Sequence, residues 1–167
     1  MRTFGVQNQL IGTHMNFLGT IEAKTDAKGR VFLPSQFRKA LQALGEERLV
    51  LRKDVFQPCL VLYPESVWNA QVSALRARLN RWNADHQMIF RQFVADVEVV
   101  VPDASGRILL AKRYLRMANI GQQVKFVGMD DTIEIWSNDG GDTTFMTADD
   151  FGRALQEVMQ QEKTFDK

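Results

Sequence analysis

Cysteine and histidine are nearly missing from this chain, and with them the residues that most often build metal and nucleophilic sites. Its 167 residues include one cysteine, Cys59, and two histidines, His14 and His86. A lone thiol cannot close an internal disulfide, and three residues so far apart have no metal-ligand spacing, which argues against zinc. Cys59 stands between Pro58 and the apolar Leu60-Val61-Leu62 run, the setting of a packed small hydrophobe rather than a nucleophile. His86 follows Asp85 in a helical stretch and reads as a surface or capping residue. No set of Ser, His and Asp and no paired carboxylates stand out, so neither an enzyme nor a cofactor is expected. A glycine-rich phosphate loop is missing as well, because Gly29 and Gly106 stand alone in their turns. No run reaches the roughly 18 apolar residues of a membrane span, and no basic stretch leads into an apolar one at the amino terminus. A cytosolic protein with no membrane or small-molecule partner is the expectation.

A large charge of either sign is also lacking, since the net is only +1. The sum conceals an uneven distribution. Residues 1–128 carry 18 Lys/Arg against 10 Asp/Glu, a net +8, while residues 129–167 carry 3 against 10, a net −7. A basic body can accumulate a polyanion, because association responds to the local field rather than the total. Ordinary solvated charge is the plainer reading of both regions.

What is present is a duplication. Asp26-Ala27-Lys28-Gly29-Arg30-Val31-Phe32-Leu33 returns as Asp103-Ala104-Ser105-Gly106-Arg107-Ile108-Leu109-Leu110. In each copy a hydrophobic strand precedes Asp-x-x-Gly-Arg, an apolar run follows, and a short basic segment comes next. The whole unit is repeated, not only the turn. The first reads as a strand over 17–23, Val31-Phe32-Leu33 as its hairpin partner, a short helix with Phe37, Ala40, Leu41 and Leu44 ended by Gly45, then strands over 48–52 and 59–63. The second reads as strands 97–101 and 107–110, a short helix 112–117, then strands 124–127 and 133–136.

The fold class expected is α+β, mainly β, with two pseudo-symmetric repeats. Five segments follow: a flexible extension over 1–16, repeat one over 17–66, a helical connector over 67–95, repeat two over 96–139, and a loop with an acidic C-terminal helix over 140–167. In the connector Trp68, Val72, Leu75, Leu79 and Trp82 recur at spacings of four and three, which predicts an amphipathic helix, with a second helical segment around Ile89, Phe90, Phe93 and Val94. Trp68, Trp82 and Trp136 are all expected to pack. Thr147 is the expected N-cap of the last helix, with Asp149 and Asp150 in its first turn and Phe151, Leu155, Val158 and Met159 as its buried face, against its own chain or a neighbour.

The repeated turn carries the chemistry. An Asp opening a turn accepts hydrogen bonds from backbone N–H groups a few residues on, and a Gly three positions later can adopt positive φ. Asp26, Gly29, Asp103 and Gly106 are therefore turn-shaping residues. Arg30 opens the return strand, where the pleat aims its guanidinium toward a phosphate or a guanine edge. Lys28 at the turn tip suits a phosphate contact that sets affinity without reading sequence. Lys24 and Arg38 are further phosphate candidates, and Arg107 holds the matching place in the second copy. A purely structural reading is that Arg30 and Arg107 only pair with Asp26 and Asp103 and stabilise two hairpins.

Taken together, these residues resemble the MraZ family of bacterial transcriptional regulators, which carry two SpoVT-AbrB-like swapped-hairpin repeats. The likeness runs from Phe17 to Trp136 and rests on the first turn with Pro34, Phe37 and Arg38, on Cys59-Leu60-Val61-Leu62-Tyr63-Pro64, and on Trp68 starting a helix. In the second half it rests on the second turn, Phe126-Val127-Gly128 and Ile133-Glu134-Ile135-Trp136. In that half Ala111 stands where the first has Pro34, and Leu115 where it has Arg38. The resemblance implies two repeats packed as a pseudo-symmetric pair and chains assembled side by side into a homo-oligomeric ring. It also implies cytoplasmic, nucleoid-associated binding to double-stranded DNA at short direct repeats upstream of the division and cell-wall gene cluster, as a repressor. The DNA-contacting motif falls on Asp26 to Arg30. Two rival readings are an AbrB-type antitoxin whose tail neutralises a toxin, and a ring-forming interaction scaffold in cell division.

Overall fold

A computed structural model describes residues 16–140 and 144–161. The extension expected over 1–16 lies outside these apart from Asn16, as do parts of the 140–167 segment. The described chain runs β1 (Thr20–Lys24), β2 (Arg30–Phe32), α1 (Ser35–Ala43), β3 (Leu49–Lys53), β4 (Leu60–Pro64), α2 (Glu65–Arg78), α3 (Ala84–Ala95), β5 (Val97–Val100), β6 (Arg107–Leu109), α4 (Lys112–Met117), β7 (Gln123–Gly128), β8 (Ile133–Ser137) and α5 (Ala148–Gln160). This is α+β, mainly strand around the core, with helices between the repeats and at the end.

Strand pairing departs from the simplest reading of the repeat. β2 is not the hairpin partner of β1. A six-stranded sheet has the order β1-β7-β8-β4-β3-β5, and β2 pairs only with β6, in a separate two-stranded ribbon. All pairs are antiparallel. The reason lies at the turn's entrance, where Thr25 is tied to the other repeat: its N–H donates to Gln122 O at 2.9 Å and its hydroxyl to Gly121 O at 3.3 Å. The exchange is reciprocal, since β1 of the first repeat pairs with β7 of the second and β5 of the second with β3 of the first. These are swapped hairpins, and their consequence is one shared core. Val31 and Ile108, partners across the ribbon, are both 1% exposed and join Phe17, Phe37, Leu51, Tyr114 and Phe126 in a single cluster.

The helices follow local signals. α1 ends where Gly45 takes φ +69° and donates its N–H to Gln42 O, so the terminal glycine behaves as expected. α2 stops at Arg78, short of the Trp82 that its apolar period reaches. Leu79 is already extended, the Trp82 N–H donates to Asn80 Oδ1 at 2.9 Å, and Asn83 caps α3 by accepting from the N–H groups of Asp85 and His86. Two asparagines thus break the helix into a hairpin, leaving Trp82 94% exposed rather than packed. Trp68 and Trp136 are buried, Trp68 stacked on Phe93 with centroids 5.3 Å apart. Thr147 does cap α5, its hydroxyl accepting from the Asp150 N–H. The expected apolar face of α5 is not buried against its own chain: Phe151, Leu155, Val158 and Met159 are all exposed.

Candidate nucleic-acid interface

The two turns are built alike, atom for atom. Asp26 Oδ1 accepts from the N–H groups of Lys28 at 2.9 Å and Arg30 at 2.8 Å, and the Gly29 N–H donates to Asp26 O at 3.0 Å. Asp103 Oδ1 accepts from Ser105 and Arg107, both at 2.9 Å, and the Gly106 N–H closes the turn on Asp103 O, again at 2.9 Å. The Arg30 backbone N–H is the largest influence holding the Asp26 carboxyl below its ordinary value, with the Arg30 side chain and the Lys28 N–H adding to it. Asp103 is lowered in the same way, first by the Arg107 N–H.

Each aspartate also positions its arginine. Arg30 Nε donates to Asp26 Oδ2 at 2.7 Å and Arg107 Nε to Asp103 Oδ2 at 3.0 Å. The ion pairs of the purely structural reading therefore exist, but they use only Nε. Among the described residues neither arginine's Nη groups have a partner, so both forks remain available to an outside oxygen.

The ribbon register brings the two arginines together. Arg30 lies opposite Leu109, Val31 opposite Ile108, and Phe32 opposite Arg107. Because side chains alternate faces along a strand, Val31 and Ile108 point into the core while Arg30, Phe32, Arg107 and Leu109 share the outer face. Phe32 and Leu109 are 57% and 51% exposed. That face combines two tethered guanidinium groups with two exposed apolar side chains. The grouping of Phe32 and Leu109 with the arginines is invisible in the sequence, since it depends on pairing between repeats.

The remaining candidates take different places. Lys28 is exposed at the first turn, and Lys24 is exposed at the end of β1. Arg38 is at neither: half-buried on α1, it donates from Nε to Leu33 O at 3.0 Å and lies against the second turn, where a Cβ on Gly106 would stand 2.4 Å from its Nη1. Leu115, its counterpart on α4, lies against the first turn. The helix of each repeat thus supports the turn of the other. Gly29, at φ +88°, faces a harder neighbour, since its Cβ would come 2.4 Å from the backbone oxygen of Leu110. Of the basic segment after the second turn, Arg113 is held by Asp96 and lies 4.3 Å over the Tyr114 ring.

Comparison with known proteins agrees with this architecture. The profile of a family described as "MraZ protein, putative antitoxin-like" matches residues 16–92 and 94–140. The chain belongs to the MraZ family. Similar MraZ proteins include the transcriptional regulator MraZ of Phocaeicola vulgatus, 63% identical over 145 residues that span 87% of this chain and 94% of that protein. The transcriptional regulator MraZ of Bacteroides thetaiotaomicron is 58% identical over 152 residues, 91% of this chain and 97% of its own. The one from Erwinia tasmaniensis is 32% identical over 120 residues, 72% of this chain and 78% of its own. The first MraZ segment holds β1 to most of α3 and the second β5 to β8, while α5 lies beyond both. In this MraZ chain Cys59 is fully buried and its thiol is pushed up by burial, and His86 Nδ1 accepts the Asn80 N–H at 2.9 Å. No group of three His, Cys, Asp or Glu that could hold a metal occurs among the described residues, and no described helix is long and apolar enough to cross a membrane.

Proposed function

We propose that this chain is a transcriptional regulator that binds double-stranded DNA with sequence specificity and without catalysis. The observation that carries this reading is the β2–β6 register, with Arg30 and Arg107 on one outer face and each tethered through Nε alone. A guanidinium so aimed can clasp a phosphate or the N7 and O6 edge of guanine, and exposed Phe32 and Leu109 can meet thymine methyl groups. Lys28 and Lys24 add phosphate contacts that strengthen binding without reading bases. Asp26, Gly29, Asp103 and Gly106 shape the turns, and Arg38 acts at this surface through the second turn that it supports. The working units are repeat one over 17–66 and repeat two over 96–139, joined by the connector over 67–95.

Chains form a homo-oligomeric ring, so several copies of the ribbon engage direct repeats in a promoter and weak single contacts gain from effective concentration. The protein acts in the cytoplasm on the nucleoid, as a repressor of the division and cell-wall gene cluster; relatives named transcriptional regulators support the regulatory part of this reading. Fluorescence anisotropy on a duplex from the protein's own upstream region, with a scrambled duplex as control, tests this. Six to ten engaged phosphates give a slope of log affinity against log salt of about −0.9 per phosphate. Arg30→Ala is expected to weaken specific binding about 5- to 150-fold, the range of one good base contact, with oligomer size unchanged. Equal, weak, salt-insensitive binding to both duplexes overturns the reading and favours an interaction scaffold.

A further inference from the structure

Two surfaces are left uncovered, and they complement each other. The first is α5, a helix of 13 residues that buries none of them. Phe151, Leu155, Val158 and Met159 form one stripe along it, with exposures of 56%, 47%, 63% and 75%. Its charge is acidic, with Asp149, Asp150 and Glu157 against Arg153. A helix this short is only marginally stable alone in water, and its apolar face needs a surface to hold it. It also lies beyond both segments matched by the family profile.

The second is a groove of about 490 Å³ along the α2–α3 hairpin. Leu79 and Phe90 give it apolar surface, Arg76, Arg81, Arg91 and His86 line it, and no carboxylate does. Arg76 lies 4.7 Å over the Phe90 ring, and none of the three arginines has an ion pair among the described residues. Next to Arg81 in the same turn, Trp82 is 94% exposed. The groove is basic where α5 is acidic, and both carry an apolar strip.

We infer that α5 of one copy docks in the α2–α3 groove of a second copy of this chain. Phe151, Leu155, Val158 and Met159 cover Leu79 and Phe90, while Glu157 on the flank of α5, and Asp150 on exchanging its 2.8 Å pairing with Arg153, meet the arginines of the rim. Within one chain the tail leaves its own hairpin open. A contact between different patches of successive copies is head to tail, the geometry that closes a ring when the rotation permits. The inference rests on the ring reading above and names a contact within it.

Disulfide trapping on the full chain tests it, with Leu155→Cys in one preparation and Gln87→Cys, at the groove, in another; buried Cys59 stays out of the reaction. After subunit exchange and oxidation, the mixture is expected to give a covalent dimer in about tenfold greater yield than either variant alone, since docking raises local thiol concentration. Adding Arg91→Glu to the Gln87→Cys chain is expected to lower that yield several-fold. Light scattering of the unoxidised protein separates the failures. An oligomer that gives no mixed dimer overturns the docking and leaves the ring intact, while a monomer overturns the ring itself. A doubly substituted chain that closes only on itself places the tail on its own hairpin and also overturns the inference.

Discussion

Replacing Gly29, Gly106 and Gly45 each by alanine separates backbone strain from collision. All three have positive φ, at +88°, +86° and +69°, so each alanine suffers left-handed strain of roughly 1–2 kcal/mol. At Gly45 nothing lies within 4 Å of the new Cβ, and strain is the whole effect. At Gly106 the Cβ would meet Arg38 at Nη1 (2.4 Å) and Cδ (2.9 Å), and moving that side chain aside gives up its Nε bond to Leu33 O while leaving the backbone in place. At Gly29 the obstacle is the Leu110 carbonyl oxygen at 2.4 Å. That carbonyl cannot retreat freely, because the Leu110 N–H donates to Gly29 O at 2.9 Å. Moving the two strands apart also loosens this hydrogen bond, worth about 0.5–1.5 kcal/mol net. Gly29→Ala is therefore expected to cost about 1.5–3.5 kcal/mol and Gly45→Ala about 1–2, with Gly106→Ala between them. With about 2–4 °C lost per kcal/mol in a chain of this size, Gly29→Ala should lower Tm by about 3–14 °C. Differential scanning calorimetry at equal protomer concentration reads this, a condition that matters because assembly shifts Tm by mass action. A Gly29→Ala protein no less stable than Gly45→Ala would refute the argument that the repeats are locked backbone to backbone at this turn.

Acid unfolding should report the two turns. The folded Asp26 and Asp103 carboxyls are lowered, so their contribution is present above the ordinary carboxylate value and disappears as pH falls through the lowered values. Asp26→Asn with Asp103→Asn should flatten the fall of Tm as pH drops below the ordinary Asp value of about 3.9; an unchanged slope would show that the turns are not where the protons bind. Trp82→Ala should change stability by less than about 0.5 kcal/mol, whereas Trp68→Ala, which empties the stack on Phe93, should cost about 3–5 kcal/mol. Acrylamide should quench Trp82 emission while Trp68 and Trp136 stay protected. Equal thermal losses for the two substitutions would contradict the exposed turn at Trp82.

Much of the candidate site is legible in the sequence because it is local. The Asp-x-x-Gly-Arg segment closes its hydrogen bonds within five residues, so the chemistry of Asp26, Gly29 and Arg30 could be read without knowing what the segment packs on. Gly45 and Thr147 were readable for the same reason, since each acts on the backbone of one helix end. Trp82 misled because an apolar period counts residues without registering that Asn80 and Asn83 recruit nearby N–H groups and end the helix. The period of α5 places its four apolar residues on one stripe, but it does not say what covers them, and on this chain nothing does. Arg38 stood beside Arg30 in the repeat's pattern, yet packing took it to the opposite turn.

By itself the sequence determined that two like units exist, where their turns and helices lie, and which arginine each turn orients, because these depend on interactions over a few residues. Tertiary structure decided the partners. In a duplicated chain every strand has two nearly equivalent mates, with the same alternation and similar side chains, so local pattern cannot choose between them. The choice is made by shared burial, as Val31 meets Ile108 in one core, and by backbone bonds such as Thr25 to Gln122 that bind each repeat to the other. Only that exchange places Arg30 and Arg107 on one face.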